Sequence, residues 1–214
     1  MNKPESKKNN YFTLVALAVL LVGILLIGRR QQNQLTPLSA DGDSTAATQS
    51  TNGTHISPEL MSIINDAQSW EAIGPEHYGQ PAPDILITDI YGSQYKISDY
   101  KGAEVLVTLW ATWCPPCNAE VEHLKELTDK YSDSELKILA ISTETEGEGT
   151  VKKFAEKKDV NYTMAWMEHH KLPAPYVNAR ALPSAFFIDK NGNFKLITQG
   201  MMDTESIEAV ISLQ

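Results

Sequence analysis

The sequence predicts an α/β domain with a mixed central sheet, tethered behind an amino-terminal membrane anchor. Three observations lead there. Apolar runs of strand length alternate with helical patterns through the carboxyl-terminal part of the chain. Two hairpin signals bracket that stretch, at Tyr91-Gly92-Ser93 and at Asn191-Gly192. A sixteen-residue run without a charge stands near the amino end.

That run, residues 12–27, reads FTLVALAVLLVGILLI, and Tyr11 and Gly28 extend it to eighteen residues. A membrane-spanning helix needs about 17–25. Lys3, Lys7 and Lys8 precede it and Arg29-Arg30 follow it, so the positive-inside rule favours a cytoplasmic amino end, less strongly for the two arginines. A cleaved signal peptide wants a shorter apolar core and small residues at the cut, where this chain has the arginine pair. The expectation is an anchor over residues 1–30, then a polar, flexible linker over 31–55 that lacks the apolar side chains to offset its ordering entropy.

Ser57-Pro58-Glu59 reads as a helix start, with Ser57 as cap and Pro58 at the first helical position. Leu60, Ile63, Ile64, Ala67 and Trp70 recur at helical spacing, which predicts an amphipathic helix over 58–72 within a connector spanning 56–78. The main domain is expected over 79–214. Within it, Ile85-Leu86-Ile87 and Tyr95-Lys96-Ile97 flank the first turn as a hairpin. Residues 105–110, VLVTLW, form a nearly continuous apolar run, as in a strand buried on both faces. A helix is expected over 115–131, a second buried strand over 136–141 and a helix over 150–158. Residues 185–188 and 194–197 pair around Asn191-Gly192, and a helix over 203–212 closes the chain.

A net charge of -9 excludes a nucleic-acid partner, because phosphate binding relies on Lys and Arg. The two cysteines are too few for a disulfide framework. They lie in Trp113-Cys114-Pro115-Pro116-Cys117, where the VLVTLW strand gives way to a helix. A helix amino terminus lowers a thiol's pKa through its unpaired N–H groups and dipole. Cys114 is therefore the expected nucleophile, and Cys117, a turn later, the more buried resolving thiol. A zinc site would have to recruit from five scattered histidines, and a disulfide across two residues adds little loop entropy. Thiol–disulfide exchange is the chemistry that the motif implies, with the Cys114–Cys117 disulfide as its redox centre and no bound cofactor or metal.

WATWCPPC, with Leu182-Pro183-Ser184 downstream, resembles the thioredoxin superfamily. The anchor, the Ala82-Pro83-Asp84 lead-in and the SDYKG stretch at 98–102 resemble its TlpA/ResA branch of membrane-anchored thiol–disulfide oxidoreductases. The resemblance covers about residues 80–212. It implies a thioredoxin-like fold with an amino-terminal hairpin and a βα insertion near 144–166. It also implies a single-pass protein of a bacterial cytoplasmic membrane with its domain outside the cytoplasm, protein thiol and disulfide substrates, a membrane thiol–disulfide electron donor, and a link to cytochrome c maturation. By the same resemblance Pro183 matches a cis-proline facing the cysteines. A cis X–Pro bond leaves the Leu182 carbonyl and N–H free to hold an extended substrate strand. Trp113, beside the first cysteine, joins Leu182 and Pro183 as an expected substrate contact.

Thioredoxin carries a buried aspartate six residues before its first cysteine, and Thr108 stands there in this chain. The TlpA/ResA branch carries a glutamate three residues after its second cysteine, and Glu120 matches it. The branch's usual proline two residues further on is replaced by Glu122. On a helical wheel at about 100° per residue, Cys117, Val121, Leu124, Thr128 and Tyr131 form one inward stripe. Glu120 falls within the inward half, whereas Glu122 and Glu126 face away. An inward acid beside two thiols should have a raised pKa and exchange a proton with the resolving thiol.

Other features read as ordinary. Glu144, Glu146 and Glu148 suggest a solvated acidic loop, His123 and His169-His170 suggest loop or surface residues, and Met164, Met167, Met201 and Met202 suggest core or loop filler. A peroxidase wants Thr three residues before its reactive cysteine, where Ala111 stands. The favoured activity is disulfide reduction. An oxidant or isomerase is the first alternative, disfavoured by Pro115-Pro116 where such proteins often place a histidine. A copper metallochaperone is the second.

Overall fold

The computed structural model describes residues 56–213. The anchor and linker expected over 1–55 lie outside them. Twelve regular elements follow one another: α1 (Pro58–Asp66), β1 (Trp70–Ala72), β2 (Leu86–Thr88), β3 (Gln94–Lys96), β4 (Glu104–Trp110), α2 (Pro115–Lys130), β5 (Leu136–Ser142), α3 (Glu148–Lys158), β6 (Thr163–Trp166), β7 (Ser184–Ile188), β8 (Phe194–Gly200) and α4 (Thr204–Ser212). Among the described residues no helix is long and apolar enough to cross a membrane.

Six strands form one mixed sheet in the order β1-β8-β7-β4-β5-β6. All seven residues of β4 are buried, which accounts for its nearly continuous apolar pattern: it runs parallel to β5 and antiparallel to β7, with both faces covered. The steps β4-α2-β5 and β5-α3-β6 go the same way across the sheet. Right-handed crossovers then put α2 and α3 on one face, and α4 packs beside α2. On the opposite face Tyr176, Phe186 and Phe194 stack with centroids 4.7 to 6.3 Å apart. The thioredoxin-like fold and its mixed sheet are therefore as expected. The insertion implied by the resemblance near 144–166 is present, but it runs helix first, as α3 then β6. The hairpin β2–β3 stands apart as a two-stranded sheet and covers the edge of β6, with the Ile90 N–H donating to the Met164 carbonyl at 3.0 Å.

One element needs correction. The helix expected over 58–72 begins as predicted, Ser57 Oγ accepting from the Leu60 N–H at 3.2 Å, but it ends at Asp66. Ala67 is already extended, and Trp70–Ala72 pairs antiparallel with β8, placing Trp70 opposite Gly200. The buried Trp70 fits either periodicity, and the backbone at Gly200 decides between them. Gly200 has φ +102°, and a Cβ there would run into the Ser69 carbonyl oxygen and lie 2.8 Å from the Trp70 Cα. Only glycine lets the two strands approach so closely.

Candidate redox site

The chain leaves β4 at Trp110 and turns through Ala111, Thr112 and Trp113. Cys114 is the amino-terminal cap of α2, and Pro115 opens the helix, where its missing N–H costs nothing. Cys114 and Cys117 are joined as a disulfide with their Cα atoms 5.3 Å apart. The Cys117 N–H points at Cys114 Sγ, 3.3 Å away, one of the unpaired donors of a helix start that stabilise a thiolate. The expected difference in burial between the two is not found: Cys114 is 4% exposed and Cys117 is 3%. In the disulfide both sulfurs are covered, so the asymmetry between them lies in position on the helix and not in access.

Trp113 is 63% exposed, the protein's conspicuous apolar surface beside the disulfide. Leu182 packs against the buried cluster that holds both cysteines, and the Leu182–Pro183 bond is cis. A second cis bond, Ala174–Pro175, was not expected. Among the described residues neither backbone group of Leu182 takes a hydrogen bond. Leu182 thus shares one packed cluster with Cys114 and Cys117, and Pro183 and Trp113 adjoin its members along the chain.

Glu120 is 3% exposed. Its Oε1 accepts a hydrogen bond from the Met202 N–H at 3.0 Å. Burial raises the carboxyl pKa to about 7, against the opposing pull of that one donor. The Met202 carbonyl lies 3.1 Å from His123 Nδ1. A carbonyl only accepts, so this nitrogen carries the proton. His123, half-buried on α2, is thus tied to the β8–α4 connection, and is not the loop or surface residue expected. Thr108 is buried, with Oγ1 unpartnered among the described residues.

Glu144 overturns the reading of a solvated acidic loop. Glu146 and Glu148 are exposed, whereas Glu144 is 3% exposed. Its Oε2 accepts from the Thr112 N–H at 2.8 Å and from the Thr112 hydroxyl at 2.7 Å. Asn118 Nδ2 donates to the Thr112 carbonyl at 3.0 Å. The signal lay in the strand register. β4 and β5 are parallel with Trp110 opposite Ser142, so the residues two places beyond, Thr112 and Glu144, come side by side. Among the described residues no three His, Cys, Asp or Glu side chains come together as a metal-binding group.

Residues 78–197 match the AhpC/TSA family. The thiol-disulfide oxidoreductase ResA of Geobacillus kaustophilus is 37% identical over 130 residues, which are 61% of this chain and 74% of that protein. ResA of Bacillus cereus is 32% identical over 133 residues, 62% of this chain and 76% of that one. Among solved structures, the Chlorobium tepidum protein assigned as thiol:disulfide interchange protein DsbE matches with a TM-score of 0.56 at 26% identity, covering 63% of this chain and 98% of that one.

Proposed function

We propose that this chain, which belongs to the AhpC/TSA family and to the ResA-like thiol–disulfide oxidoreductases of the thioredoxin superfamily, works as a disulfide reductase on protein substrates outside the cytoplasm. The observation that carries the reading is Cys114 capping α2, with the Cys117 N–H on its sulfur and only Pro115-Pro116 between the two cysteines. No histidine there favours the thiolate further, and a couple whose thiolate is less stabilised is the more reducing one.

In the proposed cycle the reduced Cys114 thiolate attacks one sulfur of a substrate disulfide. The substrate's other sulfur leaves as a thiolate and takes a proton. Cys117 then gives its proton to Glu120 and attacks Cys114 Sγ, which breaks the mixed disulfide and releases the second substrate thiol. Two electrons have passed to the substrate, and a membrane thiol–disulfide carrier restores them. Glu120 suits the proton step because its pKa of about 7 lets it take and return a proton near neutrality. Trp113 offers an apolar contact, and the free backbone groups of Leu182 offer strand-like pairing to an extended substrate. Residues 1–30 would anchor the protein, residues 31–55 would give it reach, and cytochrome c maturation is the process this arrangement would serve.

The deciding measurement is the reduction potential of the Cys114–Cys117 couple. It should lie near the thioredoxin value of roughly -270 mV. A value above about -180 mV, the region of protein disulfide isomerase, would replace the reductase reading with that of an oxidant or isomerase.

A further inference from the structure

We infer that Glu144 is a positioning residue for the attacking thiol, acting through Thr112; the inference rests on Cys114 being the nucleophile. Strands β4 and β5 end side by side, and the Thr143 N–H donates to the Trp110 carbonyl at 3.1 Å. Beyond that bond the two chains are held by Glu144. Its carboxylate takes both donors of Thr112 on one oxygen, while its own carbonyl accepts from Trp166 Nε1 at 2.7 Å. The acid is thus fixed to the end of β6, and Thr112 is fixed to the acid. Asn118, in the first turns of α2, holds the Thr112 carbonyl from the other side. Both backbone groups of Thr112 are engaged, and the Cys114 N–H closes the turn on the Ala111 carbonyl at 3.2 Å. Thr112 therefore has little freedom, and Trp113 and Cys114, which follow it directly, inherit that constraint.

Glu144 Oε1 and Asn118 Oδ1 are both buried without a partner among the described residues, and an unsatisfied buried acceptor offsets part of what the two bonds from Thr112 return. An acid near Cys114 also gives no electrostatic help, since a neighbouring negative charge disfavours a thiolate. What the carboxylate supplies is geometry. Being an acceptor only, it receives an N–H and an O–H together without competing as a donor. The result keeps Cys114 Sγ on the helix start, within reach of the Cys117 N–H.

Position and charge predict opposite signs, which makes the inference testable. The experiment is alkylation of the reduced full-length protein with iodoacetamide from pH 5 to 10, with the modified cysteine identified. Glu144→Ala frees the turn, so Cys114 loses its hold on the Cys117 N–H. The profile should move about one unit to higher pH, and the rate at pH 7 should fall about tenfold. Glu144→Gln retains an oxygen for both Thr112 donors and drops the charge. Its profile should match the wild type or move slightly lower. A Glu144→Ala profile at the wild-type position, or one moved to lower pH in both variants, would overturn the positioning role. Should Glu144→Ala fail to fold, Thr112→Val decides in its place. It keeps the N–H bond and loses the hydroxyl, so the rate should fall about threefold, and an unchanged rate would overturn the inference. The wild-type profile separates this inference from the one beneath it. If Cys117 and not Cys114 is alkylated first in the wild type, the assignment of the nucleophile has failed, whatever Glu144 does.

Discussion

The backbone N–H of Met202, in the β8–α4 connection, donates to the Oε1 of Glu120 on α2 at 3.0 Å. It ties the helix that carries the cysteines to the segment that leads into the last helix of the fold. One neutral donor is a weak counterweight to removing a carboxylate from water, so burial prevails and the acid sits near pKa 7. An acid held there changes its charge over the pH range in which the enzyme would work. Once the disulfide is reduced, its negative form would oppose a second charge on the thiols, and the three groups are then expected to titrate as a cluster.

This has a consequence for stability as well as for catalysis. The Glu120 pKa rises from an ordinary 4.5 to about 7 on folding, so the native state holds the proton more tightly than the unfolded chain. Its contribution is fully present below pH 4.5 and is lost as pH rises through 7. The loss is about 3 kcal/mol for a shift of that size. Glu120→Gln lacks this dependence, so denaturant unfolding of the oxidised protein should show the variant gaining on the wild type between pH 5 and pH 8. In the reduced protein the same variant should lower the apparent pKa of the thiols yet slow substrate reduction near neutrality. Parallel stability curves and unchanged turnover would remove Glu120 from the mechanism.

The roles within the cysteine pair are separable by trapping. Cys114→Ser should abolish exchange, because the attacking sulfur is gone. Cys117→Ser should still attack but be unable to release, and should accumulate mixed disulfides visible on non-reducing gels. Trapping by Cys114→Ser instead would reverse the assignment. Burial does not settle the matter, since both sulfurs are nearly inaccessible in the disulfide.

Much of this was legible in the chain, and the reasons differ by element. β4, β5 and β7 were readable because central strands covered on both faces leave nearly continuous apolar runs, and β8 because the Asn191-Gly192 turn pairs it with β7. α2 and Glu120 were readable because a helix's period fixes which side a residue faces. β6 was implied only by the family resemblance and had no pattern of its own, since four residues with only Met164 and Ala165 buried are too few to separate from a loop. Trp70 was placed on a helix because one buried tryptophan is compatible with both periods, and the deciding contact with Gly200 is far away in sequence. Glu144 was misread for a similar reason. Its neighbours are exposed acids, and its burial depends on donors from Thr112, thirty-two positions earlier.

The anchor expected over 1–30 makes a prediction about topology. The full-length protein should resist alkaline carbonate extraction, with its carboxyl-terminal domain open to protease added from outside. Release of a soluble form beginning near residue 41 would mean instead that the amino-terminal run is a cleaved signal.

A last prediction concerns an ion pair that the sequence did not reveal. Lys195 on β8 reaches Glu104 at the start of β4 at 2.7 Å, with side chains only 11% and 10% exposed. The same ammonium lies 2.7 Å from the Leu213 carbonyl and 3.3 Å from that of Val210, so it also closes the carboxyl end of α4. Burial raises the Glu104 pKa, and Lys195 pulls it back down. Removing the lysine leaves a buried acid unpaired and the helix carbonyls without their donor. Breaking a buried pair from one side costs about 3–5 kcal/mol, whereas an exposed pair is worth about 1 kcal/mol or less. Lys195→Met should therefore lower the unfolding free energy by a few kcal/mol, on the order of the buried case. It should recover partly toward acid pH, where Glu104 takes a proton and sheds its charge. Adding Glu104→Gln should restore part of the loss at neutral pH, because the uncompensated charge is then gone while the helix carbonyls remain unsatisfied. Urea unfolding of the two single variants and the double variant measures each term. A Lys195→Met cost below about 1 kcal/mol would place the pair in the solvent-exposed class.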